Sequence, residues 1–218
     1  MKILYLEDDL NLSQTVEEFL KDEGFEVTCA YEGEEALDYI YNSIFDILLL
    51  DVNVPQIGGF ELLRELREAK ISTPAIFITS LNGIDDLSKG YGCGADDYIK
   101  KPFALKELLL RINAILKREY KTQSNSVKID EKINFNIYSN ELIIDDKTTL
   151  LNQKESLLLK LLLKHHDECV SFENIYQNVW QFSEEHSYMS LRTYIKNLRK
   201  HIGKERILSI KNVGYKLV

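Results

Sequence analysis

Cysteine is scarce in this 218-residue chain, and long hydrophobic runs are missing from it. The three cysteines, Cys29, Cys93 and Cys169, lie far apart and form no CxxC pair, so neither a disulfide framework nor a structural zinc site is expected. No apolar run approaches the ~18 residues that a membrane span requires. The opening "MKILYLEDD" becomes acidic too early for a signal peptide. We therefore expect a cytoplasmic protein with reduced thiols.

Positive charge is scarce in the first half of the chain. Residues 1–125 contain 13 Lys and Arg against 23 Asp and Glu, a net charge of −10, whereas residues 126–218 contain 14 against 12, a net charge of +2. From Arg192 onward, eight basic residues face a single acid, Glu205. The hydrophobic content of 44% is that of a globular chain. The uneven charge predicts two domains with different partners.

Short aliphatic segments alternate with amphipathic ones in the first part of the chain. This order predicts an α/β domain, a doubly wound five-stranded parallel sheet, over residues 1–118. The predicted strands are 2–6, 26–30, 46–50, 75–79 and 98–99. The predicted helices are 13–22, 34–41, 60–69, 85–90 and 105–117.

A polar stretch, residues 119–126, interrupts this pattern and is predicted to be a linker. Beyond it, "INFNIYSNELIIDDKTTLL" is typical of a small antiparallel sheet. Three helical segments follow, at 153–165, 172–179 and 190–202, and "ILSIKNVGYKLV" predicts a β-hairpin. Residues 127–218 are therefore predicted to form an α+β domain.

Polar side chains follow four of the five predicted strands. Asp51 comes directly after the aliphatic run at 47–50, Glu7 and Asp8 follow the first strand, and Thr79 and Lys101 end the last two. The carboxyl ends of parallel strands meet at one edge of a sheet, so these groups should share a crevice. Each alone could be an ordinary strand end, but all of them together favour a site.

Three carboxylates in one crevice favour a hard divalent cation such as Mg²⁺. With the cation bound, one carboxylate can attack phosphorus and become an acyl phosphate. A lysine and a hydroxyl, Lys101 and Thr79, could then contact the other phosphoryl oxygens.

The stretches "ILYLEDD", "LLLDVNVPQIGGFEL", "AIFITS" and "GADDYIKKPF" resemble the flavodoxin-like receiver domain of two-component response regulators. The resemblance covers residues 2–118 and implies a phosphoacceptor, Asp51, that a sensor histidine kinase would phosphorylate. It implies that Asp8 binds Mg²⁺ directly, Glu7 through water and Asn53 through its backbone carbonyl. Thr79 and Tyr98 would be the switch residues. Lys101, before a cis bond to Pro102, would contact the phosphoryl group.

The helix predicted at 190–202 separates apolar from basic residues. An apolar face repeats at Leu191, Ile195, Leu198 and Ile202, and the basic residues lie largely opposite. A solvated surface helix would look the same, but the following basic hairpin favours a DNA-binding surface, since a helix of this width fits the major groove.

The segments "LNQKESLLLKLLLKH", "IYQNVW", "LRTYIKNLRKHIG" and "ILSIKNVGYKLV" resemble the winged-helix DNA-binding domain of the OmpR/PhoB subfamily. The resemblance implies a recognition helix in the major groove of promoter DNA and a hairpin wing at the minor groove. We assign no base contact to Met189 and Ser190, which stand where the family often has Arg-Thr. The implied DNA-binding residues are Arg192, Thr193, Lys196, Asn197, Arg199, Lys200 and, in the wing, Lys211.

The same resemblance implies a homodimer and RNA polymerase as a further partner. Dimers of the family pair charges across the fourth helix, fifth strand and fifth helix of the receiver, and Leu87 replaces one expected basic residue. The matching positions are Asp96, Asp97, Glu107, Arg111 and Arg118.

Two alternatives use the same residues differently. A haloacid-dehalogenase-type phosphatase would use Asp51 as its nucleophile, but it needs a second acid two residues later, where Asn53 stands. An orphan regulator would bind DNA without phosphorylation. The full set of receiver residues disfavours this second alternative.

Overall fold

The computed structural model describes residues 1–80, 93–120, 122, 126–181 and 184–218. The chain divides into two compact units, Met1–Leu116 and Lys117–Val218. No helix within these described ranges is both long enough and apolar enough to span a membrane.

The described part of the first unit contains one parallel sheet of five strands. Its order is β2-β1-β3-β4-β5, and every neighbouring pair is parallel. This confirms the predicted α/β class. The strands are β1 (Lys2–Leu6), β2 (Glu26–Ala30), β3 (Ile47–Asp51), β4 (Ala75–Thr79) and β5 (Asp97–Lys100).

Four helices of the first unit lie within the described residues. The predicted helix at 85–90 lies outside the described residues, so α4 here is the helix predicted as the fifth. The side chain of Asp9 accepts hydrogen bonds from the backbone N–H groups of Asn11 and Leu12, and this cap starts α1 three residues before the predicted start. The helices are α1 (Leu10–Asp22), α2 (Gly33–Asn42), α3 (Gly59–Glu68) and α4 (Leu105–Glu119).

The two strands β3 and β4 form the centre of this unit. Every residue of both strands is buried, as expected for parallel strands covered on both faces. Asp51 is itself the last residue of β3, one position beyond the predicted strand. The helix α3 returns close to it, since a Cβ placed on Gly59 would lie only 2.4 Å from the Asp51 carbonyl oxygen. Glycine therefore allows the helix to start beside the strand end.

The second unit begins with a four-stranded antiparallel sheet of order β6-β7-β8-β9. Asp145 and Asp146 both have positive φ, 45° and 63°, which suits the tight two-residue turn between β8 and β9. The predicted linker overlaps regular elements at both ends, since α4 ends at Glu119 and β6 begins at Ser126. These strands are β6 (Ser126–Lys128), β7 (Ile133–Asn136), β8 (Glu141–Ile144) and β9 (Lys147–Leu150).

Among its described residues, three helices and a second sheet complete this unit. Ser187 and Ser190 form a capping box, so α7 begins two residues before the predicted start. The C-terminal hairpin is present as predicted, and β10 pairs with it to make an antiparallel sheet of order β10-β12-β11. The elements are α5 (Gln153–Lys164), β10 (Cys169–Ser171), α6 (Phe172–Val179), α7 (Tyr188–Ile202), β11 (Ile207–Ile210) and β12 (Gly214–Leu217).

Candidate functional site

Three carboxylates meet at the carboxyl edge of the parallel sheet. One oxygen from each of Glu7, Asp8 and Asp51 lies within 4.8 Å of the others. Glu7 is fully buried and Asp51 is 5% exposed, whereas Asp8 is exposed. Two desolvated carboxylates therefore lie beneath one that is open to solvent, and such charges require compensation.

The ammonium of Lys101 supplies that compensation. Its Nζ lies 2.7 and 2.6 Å from the two carboxylate oxygens of Glu7 and 2.5 Å from Oδ2 of Asp51. The backbone N–H of Lys101 donates to the carbonyl oxygen of Thr79 at 2.9 Å. The bond from Lys101 to Pro102 is cis, as the resemblance implied. One cation thus bridges the ends of β1 and β3.

Burial and the neighbouring charges have opposite effects on the pKa values of Glu7 and Lys101. Burial raises the pKa of Glu7, and the hydrogen bonds from Lys101 only partly offset that rise. Burial by itself would lower the pKa of Lys101, but its hydrogen bonds to Asp51 and Glu7 outweigh burial and raise this pKa. The stabilisation from Lys101 is therefore complete below the ordinary lysine pKa and is lost as the pH rises through the raised value.

Tyr5 is a residue of this cluster that sequence reasoning missed. Its hydroxyl donates to Oε2 of Glu7 at 3.0 Å, and its side chain is completely buried. Burial, followed by the nearby Glu7 charge, raises the pKa of Tyr5 far above its ordinary value, so the hydroxyl remains a donor. The sequence signal that could have identified Tyr5 is its spacing of two residues from Glu7, since residues two apart on a strand lie on the same face.

The remaining predicted residues border the carboxylates. The backbone N–H of Asn53 donates to Oδ1 of Asp51 at 2.9 Å, so the turn after β3 orients the carboxylate. Thr79 is buried at the end of β4, and Tyr98 is partly buried on the neighbouring strand β5. The donor set of Glu7, Asp8 and Asp51 contains only hard oxygen ligands, and this chemistry fits Mg²⁺.

The predicted dimer residues already have partners within one chain. Arg111 donates to Oδ2 of Asp97 at 2.9 Å and to Oε1 of Glu107 at 2.8 Å. Asp96 instead accepts the backbone N–H of Ala75 at 3.0 Å. Arg118 is exposed near the end of α4, and Leu87 lies outside the described residues. The structure thus separates Asp96 from the acidic pair around Arg111.

In the second unit, the helix α7 has the two faces that the sequence predicted. Its apolar stripe of Leu191, Ile195, Leu198 and Ile202 is buried, whereas Tyr188 and Met189 at its start are exposed. Four predicted DNA-binding residues are exposed on the side opposite the stripe. Lys211 is also exposed, in the turn between β11 and β12. The four exposed residues are Arg192, Thr193, Lys196 and Lys200.

Two predicted DNA-binding residues are instead directed at the protein. Arg199 donates through Nε to the carbonyl oxygen of Ile207 at 2.9 Å and through Nη2 to Oγ of Ser209 at 3.0 Å. Its guanidinium also lies 5.9 Å from the ring centroid of Tyr215. Asn197 donates to Oε1 of Glu155 at 2.8 Å. Both positions flank the buried stripe of α7, and neighbouring elements therefore bind their side chains.

Comparisons with known proteins agree with the division of the chain into two units. Residues 3–113 match the response regulator receiver domain, and residues 146–217 match the C-terminal domain of transcriptional regulatory proteins. The chain belongs to the response regulators of the OmpR/PhoB subfamily, which are DNA-binding regulators of transcription.

Two relatives and one solved structure illustrate the similarity. The chain is 40% identical to the transcriptional regulatory protein CrdR of Helicobacter pylori, covering 99% of this chain and 97% of that protein. It is 35% identical to CiaR of Streptococcus pneumoniae, covering 100% and 98%. The receiver domain of the Francisella response regulator 1452 is similar to 54% of this chain and 97% of its own length, at 34% identity and a TM-score of 0.52.

The bridging role of Lys101 predicts a pH-dependent loss of stability in Lys101→Met. We expect the free energy of unfolding to fall by roughly 3 kcal/mol at pH 7 without metal, because two buried carboxylates then lack a cation. Part of the loss should be recovered at pH 5, because the pKa of Glu7 is raised and its protonation removes one charge. Chemical denaturation at both pH values measures this.

The control for this experiment is Lys106→Met, which removes an exposed lysine of α4 and should change stability by less than about 0.5 kcal/mol. If Lys101→Met is as stable as the wild type at pH 7, the bridge does not compensate the carboxylates.

Proposed function

We propose that Asp51 accepts a phosphoryl group from a sensor histidine kinase and that this modification controls dimerisation and promoter binding. The observation that carries the proposal is the contact of one ammonium, Lys101, with the buried carboxylates of Glu7 and Asp51, at 2.6 and 2.5 Å. The proposed receiver domain is 1–118, the linker 119–126 and the DNA-binding domain 127–218. Reduced thiols and a DNA partner favour the cytoplasm.

The proposed chemistry is an in-line displacement at phosphorus. A carboxylate oxygen of Asp51 forms the new O–P bond while the P–N bond to the kinase histidine breaks, and the electron pair of that bond stays with the histidine. Asp8, Asp51 and the Asn53 carbonyl would hold Mg²⁺, with Glu7 acting through water. When bound, the cation neutralises charge on the transferring phosphoryl oxygens.

The residues at the ends of β4 and β5 would stabilise and report the modification. Lys101 already reaches the Asp51 carboxylate, so it is close enough to pair with a phosphoryl oxygen attached there. The hydroxyl of Thr79, at the end of the adjacent strand β4, would bond another oxygen. Tyr98 on β5 would then turn inward, and this surface of the receiver would change its shape.

Phosphorylation is tested with acetyl phosphate and Mg²⁺. Intact-mass spectrometry of the wild-type chain should show one added phosphoryl group, about +80 Da. Asp51→Asn should abolish the added mass, because an amide nitrogen and oxygen are poor nucleophiles here, and EDTA should do the same to the wild type.

The control is Asp38→Asn, an exposed acid on α2, which should be labelled like the wild type. Equal labelling of Asp51→Asn would show that the phosphoacceptor is another residue.

We propose that the dimer forms through the surface around α4 and β5. Arg111 contacts Asp97 and Glu107 within one chain and its side chain is 35% exposed, so these pairs lie at the surface and can exchange for pairs with a second copy. Surface ion pairs contribute little to stability, and this exchange therefore costs little. Arg118 is exposed near the C-terminal end of the same helix. We propose that it extends this charged face.

Beryllofluoride, a phosphoryl mimic, tests the dimer by analytical sedimentation at tens of micromolar. With Mg²⁺ and beryllofluoride the wild type should become dimeric, and Arg111→Ala should dimerise at least about tenfold more weakly, or ~1.4 kcal/mol. The matched control Arg64→Ala removes an exposed arginine of α3 and should dimerise normally. A wild-type chain that stays monomeric, or an Arg111→Ala dimer of unchanged strength, contradicts the proposed interface.

We propose that the exposed face of α7 enters the major groove of promoter DNA. The predicted apolar stripe of α7 is buried, while Arg192, Lys196 and Lys200 are exposed together. Cations on one helix face provide phosphate contacts and base-edge donors at once. Lys211 would bring the hairpin to the adjacent minor groove. RNA polymerase is the further partner that the family resemblance supports.

DNA binding is tested by fluorescence anisotropy of the full chain on a duplex selected from a random pool. Lys196→Ala should weaken binding and lower the slope of log affinity against log salt by about 1, because one fewer phosphate counterion is displaced.

Lys147→Ala is the control, since this exposed lysine belongs to β9 of the same unit and lies off the proposed surface. Its salt slope should equal that of the wild type. A salt slope that Lys196→Ala leaves unchanged would remove α7 as the DNA-contacting helix.

A further inference from the structure

The strand β1 carries a fully buried tyrosine directly beneath the acidic cluster. Tyr5 is 0% exposed, and it pairs in register with Cys29 on one side and Leu49 on the other. A phenol at such a position needs a hydrogen-bond partner. The structure provides one in Oε2 of Glu7, at 3.0 Å. Strand spacing sets this contact, because Tyr5 and Glu7 lie two residues apart.

The donors around Glu7 differ in how firmly they are held. Lys101 contacts both carboxylate oxygens of Glu7 but also bonds Asp51. The backbone N–H of Asp9 lies farther away, at 3.4 Å from Oε1. Tyr5 is fixed by a buried ring in the middle of the sheet. It is therefore the donor whose position is least free to change.

We infer that Tyr5 is a positioning residue for the proposed Mg²⁺ site: its hydroxyl fixes the Glu7 carboxylate toward Asp8 and Asp51. This inference rests on the proposed function. Hydrogen bonds that orient the groups around a metal ion commonly matter nearly as much as the ligands themselves. The Tyr5 hydroxyl bonds Glu7, so its effect on the chemistry would be exerted through Glu7.

Lys101 is shared between Glu7 and Asp51, and for this reason a second hydrogen-bond donor to Glu7 is useful. In the proposed reaction Lys101 pairs with a phosphoryl oxygen on Asp51, and it then gives up part of its contact with Glu7. The Tyr5 hydroxyl remains in place, so Glu7 keeps one charge-assisted hydrogen bond and its orientation. The sheet thus holds one carboxylate while the cation above it changes partners.

The test is the affinity of the full chain for Mg²⁺ alone, measured by isothermal titration calorimetry. Tyr5→Phe removes only the hydroxyl, and we expect its Mg²⁺ affinity to be on the order of tenfold weaker. Tyr41→Phe is the matched control, because the Tyr41 hydroxyl bonds Glu65 at 3.3 Å on other elements of the same unit. That variant should bind Mg²⁺ like the wild type.

A double-mutant cycle with Glu7→Gln separates positioning from a general packing effect. If Tyr5 acts through Glu7, Tyr5→Phe should cause little further loss of Mg²⁺ affinity in the Glu7→Gln background. Equal losses in both backgrounds, or unchanged affinity of Tyr5→Phe, would overturn the inference. Circular dichroism of each variant checks that it is folded.

The outcome for the wild type separates this inference from the proposed function. A wild-type chain that binds no Mg²⁺ overturns both, whereas normal Mg²⁺ binding by the wild type and by Tyr5→Phe overturns the role of Tyr5 alone.

Discussion

The ammonium of Lys101 is the interaction on which the receiver site depends. It holds two carboxylates, Glu7 and Asp51, that the sheet has removed from water. Without a cation, such a pair would protonate or push the strand ends apart. The contact also joins β1, β3 and β5, which are distant in sequence. The lysine that stabilises the fold is therefore also the group that the proposed phosphoryl transfer would use.

The parallel sheet makes this arrangement possible. Its strands β3 and β4 are apolar up to their last residues, Asp51 and Thr79, which are polar and also buried. Asp51 sits at the boundary, with its chain continuing into the turn that carries Asn53 and Gly59. The close approach of Gly59 to the Asp51 carbonyl oxygen keeps this turn short. Burial and the proposed reactivity thus meet at a single residue, Asp51, because the strand ends there.

Sequence reasoning could place the strands and the carboxylates, because uninterrupted aliphatic runs and strand-end acids are local signals. The five-stranded parallel sheet and the exposed cations of Arg192, Lys196 and Lys200 follow directly from such patterns. The early starts of α1 and α7 were missed because single capping side chains, Asp9 and Ser187, decide them. The strand β10 was missed because three residues carry too little pattern, and its pairing with β12 is long-range.

The side chains whose partners lie on other elements could not be predicted from periodicity. Tyr5 was hidden within an aliphatic strand, since its spacing to Glu7 has meaning only once both are buried. Arg199 looked like its exposed neighbours, because a helical wheel separates residues by angle and does not show what packs beside the helix.

Arg199 and Lys101 illustrate two uses of a buried or half-buried cation. Lys101 is a point charge shared by two carboxylates, which suits the proposed exchange of one of them for a phosphoryl oxygen. Arg199 is a planar fork that bonds a carbonyl oxygen and a hydroxyl of β11 and lies over Tyr215 of β12, a geometry that lysine could not reproduce. It ties the hairpin to α7. The proposed major-groove helix and minor-groove wing need a fixed separation to reach adjacent grooves together, and this contact sets that separation within the domain. Arg199 therefore has a structural role in joining the hairpin to α7, and its predicted contact with DNA stays a prediction.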